Sequence, residues 1–178
     1  MEPTEADLDL AVELVNTYWV MATPADRLTG TDVYQRILHG AGEGGLAAQL
    51  FAADLAELLR LRADLAGVFA AATTQDAVDR LDPLLADAAV TARLAVGDNG
   101  ARWIYSSDRN GVPALRGRLL AALAAHIIRT GTQRMGVCQA APCNCVYIDR
   151  SRARTRRYCC DQCNDRAAAS AYRRRRTT

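Results

Sequence analysis

The sequence predicts a mainly α-helical protein with one small β-hairpin (α+β), in two parts: a helical domain over residues 1–130 and a small cysteine-rich module over residues 131–178. Three observations predict it. Ala and Leu dominate the apolar half of the chain while aromatic residues make up 6 %, which favours helices over a β-sandwich. Through most of the first 130 positions apolar residues recur three or four apart, the helical period. All six cysteines lie between Cys138 and Cys163, so the larger part has none.

The elements follow from that period. Residues 5–20 carry Leu8, Val12, Val15 and Trp19 on one face, with Thr4 placed to cap the start. Asn16, polar among apolar neighbours, is assigned a hydrogen bond to backbone. Pro24, Gly30, Gly40, Gly42 and Gly44-Gly45 punctuate the next stretch and leave room for a short helix over Asp32–Leu38, with His39 at its end. Leu46–Ala72 reads as the longest amphipathic helix; its Asp54, Glu57, Arg60, Arg62 and Asp64 read as a solvated face. Thr74 is placed to cap a helix over Gln75–Asp87, which Pro83 kinks or restarts. The period then changes to two. Thr91–Val96 and Arg102–Ser106, joined at Gly97-Asp98-Asn99-Gly100, read as a hairpin whose Trp103 and Tyr105 pack onto the helices. Pro113 opens a helix over Ala114–Arg129 that Gly131 stops, with His126 in or beside its core face; Thr130–Gly136 reads as a junction.

Charge separates the two parts more sharply than composition does. The chain contains no Lys, so all 22 basic residues are Arg. The net charge of +2 divides into −7 over residues 1–128, with 10 Arg against 17 Asp and Glu, and +9 over residues 129–178, with 12 Arg against 3 Asp. A basic tail on an acidic body points the tail at a polyanion, and Arg grips phosphate through two parallel hydrogen bonds. The acidic start lacks the basic region of a signal peptide, and no uncharged apolar run reaches membrane-spanning length. A cytoplasmic protein with no membrane partner is therefore expected, and there clustered cysteines serve more often as metal ligands than as disulfides. The body shows no phosphate loop, no paired carboxylates in a catalytic setting and two histidines far apart, so no enzyme is expected.

The cysteine module carries the chemistry. Cys138 and Cys143 form a C-x4-C pair, and Cys159 and Cys163 a C-x3-C pair about fifteen residues further on, the spacing of a structural zinc site of four thiolates. Cys138–Cys143 forms a knuckle, Val146–Ile148 a strand, Arg156–Tyr158 its return strand, and Cys159 and Cys163 flank the first turn of a helix running to about Tyr172. Knuckle, hairpin and helix describe a treble-clef-like zinc finger, too small to fold without its metal. Cys143 is favoured over Cys145, which begins the strand; Cys159 and Cys160 are both open on geometry. The spare thiols are either small buried residues or redox-sensitive neighbours of the metal. Arg150, Arg152, Arg154 and Arg156 alternate, so an extended segment presents them on one side. Arg166 and Arg173 share a helical face that Arg174, Arg175 and Arg176 extend, with Asn164, Arg166 and Ser170 placed to read bases.

The module resembles the CGNR zinc finger. That family's pattern stands here as Cys138 and Cys143, Tyr147-Ile148-Asp149, Arg150-Ser151-Arg152, Arg156-Arg157-Tyr158-Cys159 and Cys163-Asn164-Asp165-Arg166, with Asn164 in place of the family's Gly and Asp165 in place of its Asn. The resemblance favours Cys159 over Cys160 and implies one structural Zn2+ on Cys138, Cys143, Cys159 and Cys163. The body is similar to the helical ABATE domain found before this finger, through Leu14-Val15-Asn16-Thr17, the Leu-rich helix with Arg60 and Arg62, and the Trp103 hairpin followed by a helix. The resemblance implies a bacterial DNA-binding transcription regulator whose ABATE domain is a sensor, with an unidentified small-molecule effector, or a homodimerisation unit.

The leading expectation is therefore a zinc-dependent regulator that binds duplex DNA through Arg150, Arg152, Arg154, Arg156, Arg166, Arg173 and Arg174. Two others come from different classes. A thiol–zinc redox switch acting on a protein partner is motivated by Cys145 and the adjacent Cys159-Cys160. An RNA-binding accessory protein would bind single strands better than duplex, and the few tail aromatics argue against stacking-led binding.

Overall fold

Thr4 starts the first helix with a reciprocal cap: its hydroxyl accepts from the Asp7 N–H (3.1 Å) and the Asp7 carboxylate accepts from the Thr4 N–H (2.9 Å). In this computed structural model, which describes residues 4–97, 100–106 and 109–176, α1 spans Glu5–Val15 and buries Leu8, Leu10, Ala11 and Leu14. The side chains at 97, 102, 103 and 106 lie outside the description, as do the predicted turn residues Asp98 and Asn99 and the predicted packing of Trp103. The helix stops five residues short of the predicted end. Thr17 turns its hydroxyl back to the Leu14 carbonyl (2.7 Å), and the chain folds into a loop closed by Trp19 N–H to Ala25 O and Arg27 N–H to Thr17 O, both 2.9 Å. Arg62, expected on a solvated face, pins this loop: it is bidentate to Asp26 at 2.6 and 2.7 Å and reaches Thr17 Oγ1 at 3.1 Å.

Helix α2 (Thr31–Gly40) is longer than predicted and buries Tyr34, whose hydroxyl donates to Leu10 O (3.0 Å). The predicted long helix over Leu46–Ala72 is broken into α3 (Gly44–Ala47), a 3-10 turn over Ala52–Asp54 and α4 (Leu55–Phe69). The break satisfies itself: Gln35 donates to the Leu50 carbonyl (2.8 Å) and the Asp54 carboxylate accepts from Phe51 N–H (2.7 Å). Thr73, not Thr74, caps α5 (Thr74–Asp87), which runs through Pro83 without interruption. Strands β1 (Thr91–Gly97) and β2 (Gly100–Ser106) form the predicted antiparallel hairpin, with Leu94 opposite Trp103.

Helix α6 (Gly111–Thr130) is the axis of the bundle, packing on α1, α4 and α5. It starts before the predicted Pro113, where Gly111 takes a φ of +64° and lies close to the Gln49 carbonyl, a position only glycine fills without strain. Val112, Leu115, Leu119, Leu120, Leu123 and Ile127 meet Leu8, Leu14, Leu58, Leu61, Leu65 and Phe69 in the core. Arg118 enters that core to pair with the fully buried Asp7 and with Glu43. His126 is buried as predicted, its Nε2 at 3.2 Å from Thr130 Oγ1. Gly111–Arg134 is long and apolar enough to cross a membrane, and more than half of its apolar window is buried inside the bundle.

The predicted junction is itself a strand. β3 (Met135–Val137) pairs antiparallel with β4 (Val146–Ile148), Met135 opposite Ile148. The predicted return strand at Arg156–Tyr158 does not form: β4 pairs with β3, the Arg157 carbonyl accepts from Gln139 N–H (2.9 Å), and the Arg156 side chain donates to the Ile148 and Tyr158 carbonyls. Met135, Val146 and Ile148 belong to the main core, so the base of the cysteine module is continuous with the helical body. Helix α7 (Asp161–Arg176) closes the chain, its end beyond the predicted Tyr172.

Candidate metal centre and arginine surface

The knuckle is built by two short backbone closures: Cys138 N–H donates to Cys145 O (2.8 Å) and Cys143 N–H to Ala140 O (2.9 Å). Cys163 is the third residue of α7; Cys159 lies just before the helix rather than on it. The sulfurs of Cys138, Cys143, Cys159 and Cys163 all lie within 4.8 Å of one another. Cys143 Sγ is 3.8 Å and Cys163 Sγ 3.6 Å from Cys159 Sγ. Thiolates held at ~2.3 Å around a tetrahedral ion would be separated by ~3.8 Å, so the set has the dimensions of a zinc site. Cys138, Cys143 and Cys163 are buried, Cys145 is half-buried outside the set, and Cys160 is exposed. The cluster contains Cys143, favoured from the sequence over Cys145, and Cys159, the one of the adjacent pair that the resemblance favours.

The electrostatics of the cluster call for a cation. Burial, hydrogen bonding with Cys163 and the neighbouring thiols push the Cys159 thiol far up, and burial raises Cys163 to about 12. Cys143 moves the other way, to about 7: burial works to raise it, but the Cys145 N–H and hydrogen bonds with neighbouring thiols prevail. Four adjacent thiols cannot all ionise at neutral pH without a positive charge among them, and a divalent ion of thiophilic character supplies it. The site fits one structural zinc ion.

A guanidinium stands beside the cluster. Arg166 donates to Cys163 Sγ (3.3 Å), to Ala140 O (2.8 Å) and to Met21 Sδ (3.0 Å), and so faces the metal site rather than outward. Trp19 packs against the same cluster with Tyr158 and Ala167. Asn16 forms a two-bond bridge to β4, donating to Val146 O (3.1 Å) and accepting from Val146 N–H (2.8 Å). Asn144, between Cys143 and Cys145, accepts from Val20 N–H (2.9 Å) and donates to Tyr18 O (3.2 Å).

The seven sequence-selected arginines do not act as one set. Arg150 pairs with Glu5 and Asp9 of α1. Arg156 lies over the Tyr147 ring and donates to Ile148 O, Tyr158 O and Cys159 O, holding the chain that presents Cys159. Arg166 faces the thiols. Arg152 and Arg154 are exposed on a turn with Arg157, while Arg173 and Arg174 are exposed on α7 beside Arg175 and Arg176. Of the base-reading residues, Asn164 lines a shallow groove of about 390 Å³ with Arg157, and Ser170 accepts from Arg174 (3.1 Å).

Asp149 is the residue that shapes the arginine turn. It is buried, accepting from Ser151 N–H (2.7 Å) and Arg156 N–H (3.1 Å); burial opposes its charge, and these hydrogen bonds still hold its carboxyl below the ordinary carboxylate range. An Asp two residues before Ser is a turn signal legible in sequence; nothing local marks Trp19, Met21 or Asn144, whose partners lie more than a hundred residues away.

Two family models match the chain. ABATE, described as "Putative stress-induced transcription regulator", matches residues 8–133, and the CGNR zinc finger matches residues 134–176. No curated protein matches it.

Proposed function

The chain belongs to the ABATE family and ends in a CGNR zinc finger, and from that premise we propose that it is a zinc-dependent transcription regulator that binds duplex DNA in the bacterial cytoplasm. The observation that carries this reading is two groups of exposed arginines on a metal-ordered frame. Arg152, Arg154 and Arg157 on the turn and Arg173, Arg174, Arg175 and Arg176 on α7 are all exposed. The zinc ion supplies the fixed relation between turn and helix; the arginines supply charge-assisted, bidentate phosphate contacts. Arg150, Arg156 and Arg166 are engaged with α1, the turn's own carbonyls and the thiols, so the reading gives them an ordering role and leaves the first two exposed beside the phosphate-binding set. The body is then the sensing or dimerising unit. A four-thiolate site leaves no open coordination position, so the reading assigns no enzymatic step to the metal.

One observation favours a second reading, a thiol–zinc redox switch acting on a protein partner: the exposed Cys160 Sγ lies 3.8 Å from Cys159 Sγ. That reading requires zinc loss at low oxidant in the wild type and not in Cys160→Ser. The DNA reading is tested by replacing Arg152, Arg154 and Arg157 together with Ala and measuring duplex affinity with zinc content monitored. Weaker binding at full zinc occupancy supports it; unchanged binding, or stronger binding to single-stranded RNA than to duplex, sinks it.

A further inference from the structure

The cysteine module is not ordered by its own residues alone. The loop after α1 meets it at four points. Asn16 bridges Val146 through both its amide atoms, Tyr18 O and Val20 N–H are both held by Asn144, Trp19 packs on the cysteine cluster, and Met21 Sδ accepts from Arg166. Asn144 sits between Cys143 and the half-buried Cys145, and Val146 follows, so these bonds fix the backbone that aims the Cys143 sulfur. Met21 and Ala140 share the Arg166 guanidinium with Cys163 Sγ, which sets its direction toward the thiolate. The loop is itself pinned from the body by Arg62 on Asp26 and Thr17, with Tyr18 under the same guanidinium at 5.7 Å.

We propose that residues 16–21 of the helical domain are positioning residues of the metal site: Asn16 and Trp19 hold the knuckle in ligating geometry, and Met21 holds Arg166 against Cys163. None of them touches the metal. They act as the outer shell of a metal site acts, by fixing the ligands and stabilising their charge, and such partners change metal affinity by roughly 10- to 100-fold. One consequence is coupling. Whatever shifts the Arg62–Asp26 clamp shifts zinc affinity, and zinc binding shifts the clamp by the same factor.

The inference rests on the four-cysteine zinc assignment and not on DNA binding. The test uses the full-length zinc-loaded protein and follows zinc transfer to a chromophoric chelator. Asn16→Ala should release zinc about tenfold faster than wild type, and Asn16→Asp, which keeps the acceptor for Val146 N–H and loses the donor, should fall between them. Met21→Ala should accelerate release less, through Arg166 alone. Thermal unfolding of the α1–α6 body, read separately, should shift little in Met21→Ala, which guards against Asn16→Ala failing to fold. In a Trp103→Phe background, Trp19 emission should change on zinc removal. Equal zinc release in wild type, Asn16→Ala and Met21→Ala would overturn the proposal. Wild-type protein without zinc would overturn the assignment beneath it, and is told apart by metal analysis before any kinetics.

Discussion

The helical body and the cysteine module solve the same problem with different chemistry. The body relies on its leucines: Leu58, Leu61, Leu65, Leu115, Leu119 and Leu120 are fully buried around α6, and its charged intruder, Arg118, is paired. The module's own cluster is Cys138, Ala140, Cys143 and Cys163, too small to offset the entropy of ordering some forty residues. The boundary between the two does not follow cysteine content. A division by cysteine content falls near residue 130, yet β3 and β4 lend Met135, Val146 and Ile148 to the body core. What zinc is expected to order lies beyond that shared sheet: the knuckle, the arginine turn and α7.

The largest expected effect breaks the comparison in two. Removing zinc, or replacing Cys163 with Ser, should remove metal-derived stability on the order of 10 kcal/mol and unfold the knuckle, the turn and α7. The body should keep its helices and the β3–β4 sheet, so amide exchange should accelerate over residues 138–145 and 149–176 and stay slow in α4, α6 and β4. Uniform loss of protection would contradict the separation. Next comes the body's weak point. Arg118→Met leaves Asp7, fully buried, without its cation, and should cost about 3–5 kcal/mol in urea unfolding of the body. The zinc content of the protein that remains folded should not change.

A smaller effect concerns the surface alone. Replacing Arg173, Arg174, Arg175 and Arg176 with Ala should leave melting and zinc content unchanged while reducing the salt slope of duplex binding by about 1 for each arginine that pairs with a phosphate. The smallest is a pH effect confined to the body. Burial holds His126 below its ordinary value of 6.5, with Arg129 and Arg150 acting in the same direction and the Arg134 backbone and Glu5 against it. The unfolded chain therefore takes up the proton first as pH falls. The His126 contribution is complete above about 6.5 and is lost as pH drops toward the folded value. Urea unfolding at pH 7.5 and 5.5 should show this loss in wild type and a smaller one in His126→Phe.

Much of the molecule is legible in sequence because it is local. Capping by Thr4, the β1–β2 pairing, the Gly131 stop and the metal-ligand spacing each follow from a few adjacent residues. Leu46–Ala72 reads as one long helix because Leu50 keeps the apolar period, while its carbonyl is satisfied by Gln35 from α2, a partner no local pattern shows. The return strand misleads for the complementary reason: Met135–Val137, too short to announce itself, is the strand that pairs with β4, while the Arg157 carbonyl bonds to Gln139. The arginines are all visible, but alternation predicts a common side only for an extended chain. Buried Asp149 bends the segment, so that Arg150 turns to α1 and Arg156 to the turn's own carbonyls while Arg152 and Arg154 stay outward.

The most direct test of the central claim, that zinc orders an arginine surface for duplex DNA, is fluorescence anisotropy of the full chain with a labelled duplex across a salt series, zinc-loaded and zinc-stripped. The account predicts that log affinity of the loaded protein falls with log salt with a slope steeper than about −3, and that stripping zinc weakens binding at every salt concentration. Equal binding by loaded and stripped protein, or no binding by the loaded protein at low salt, would contradict it.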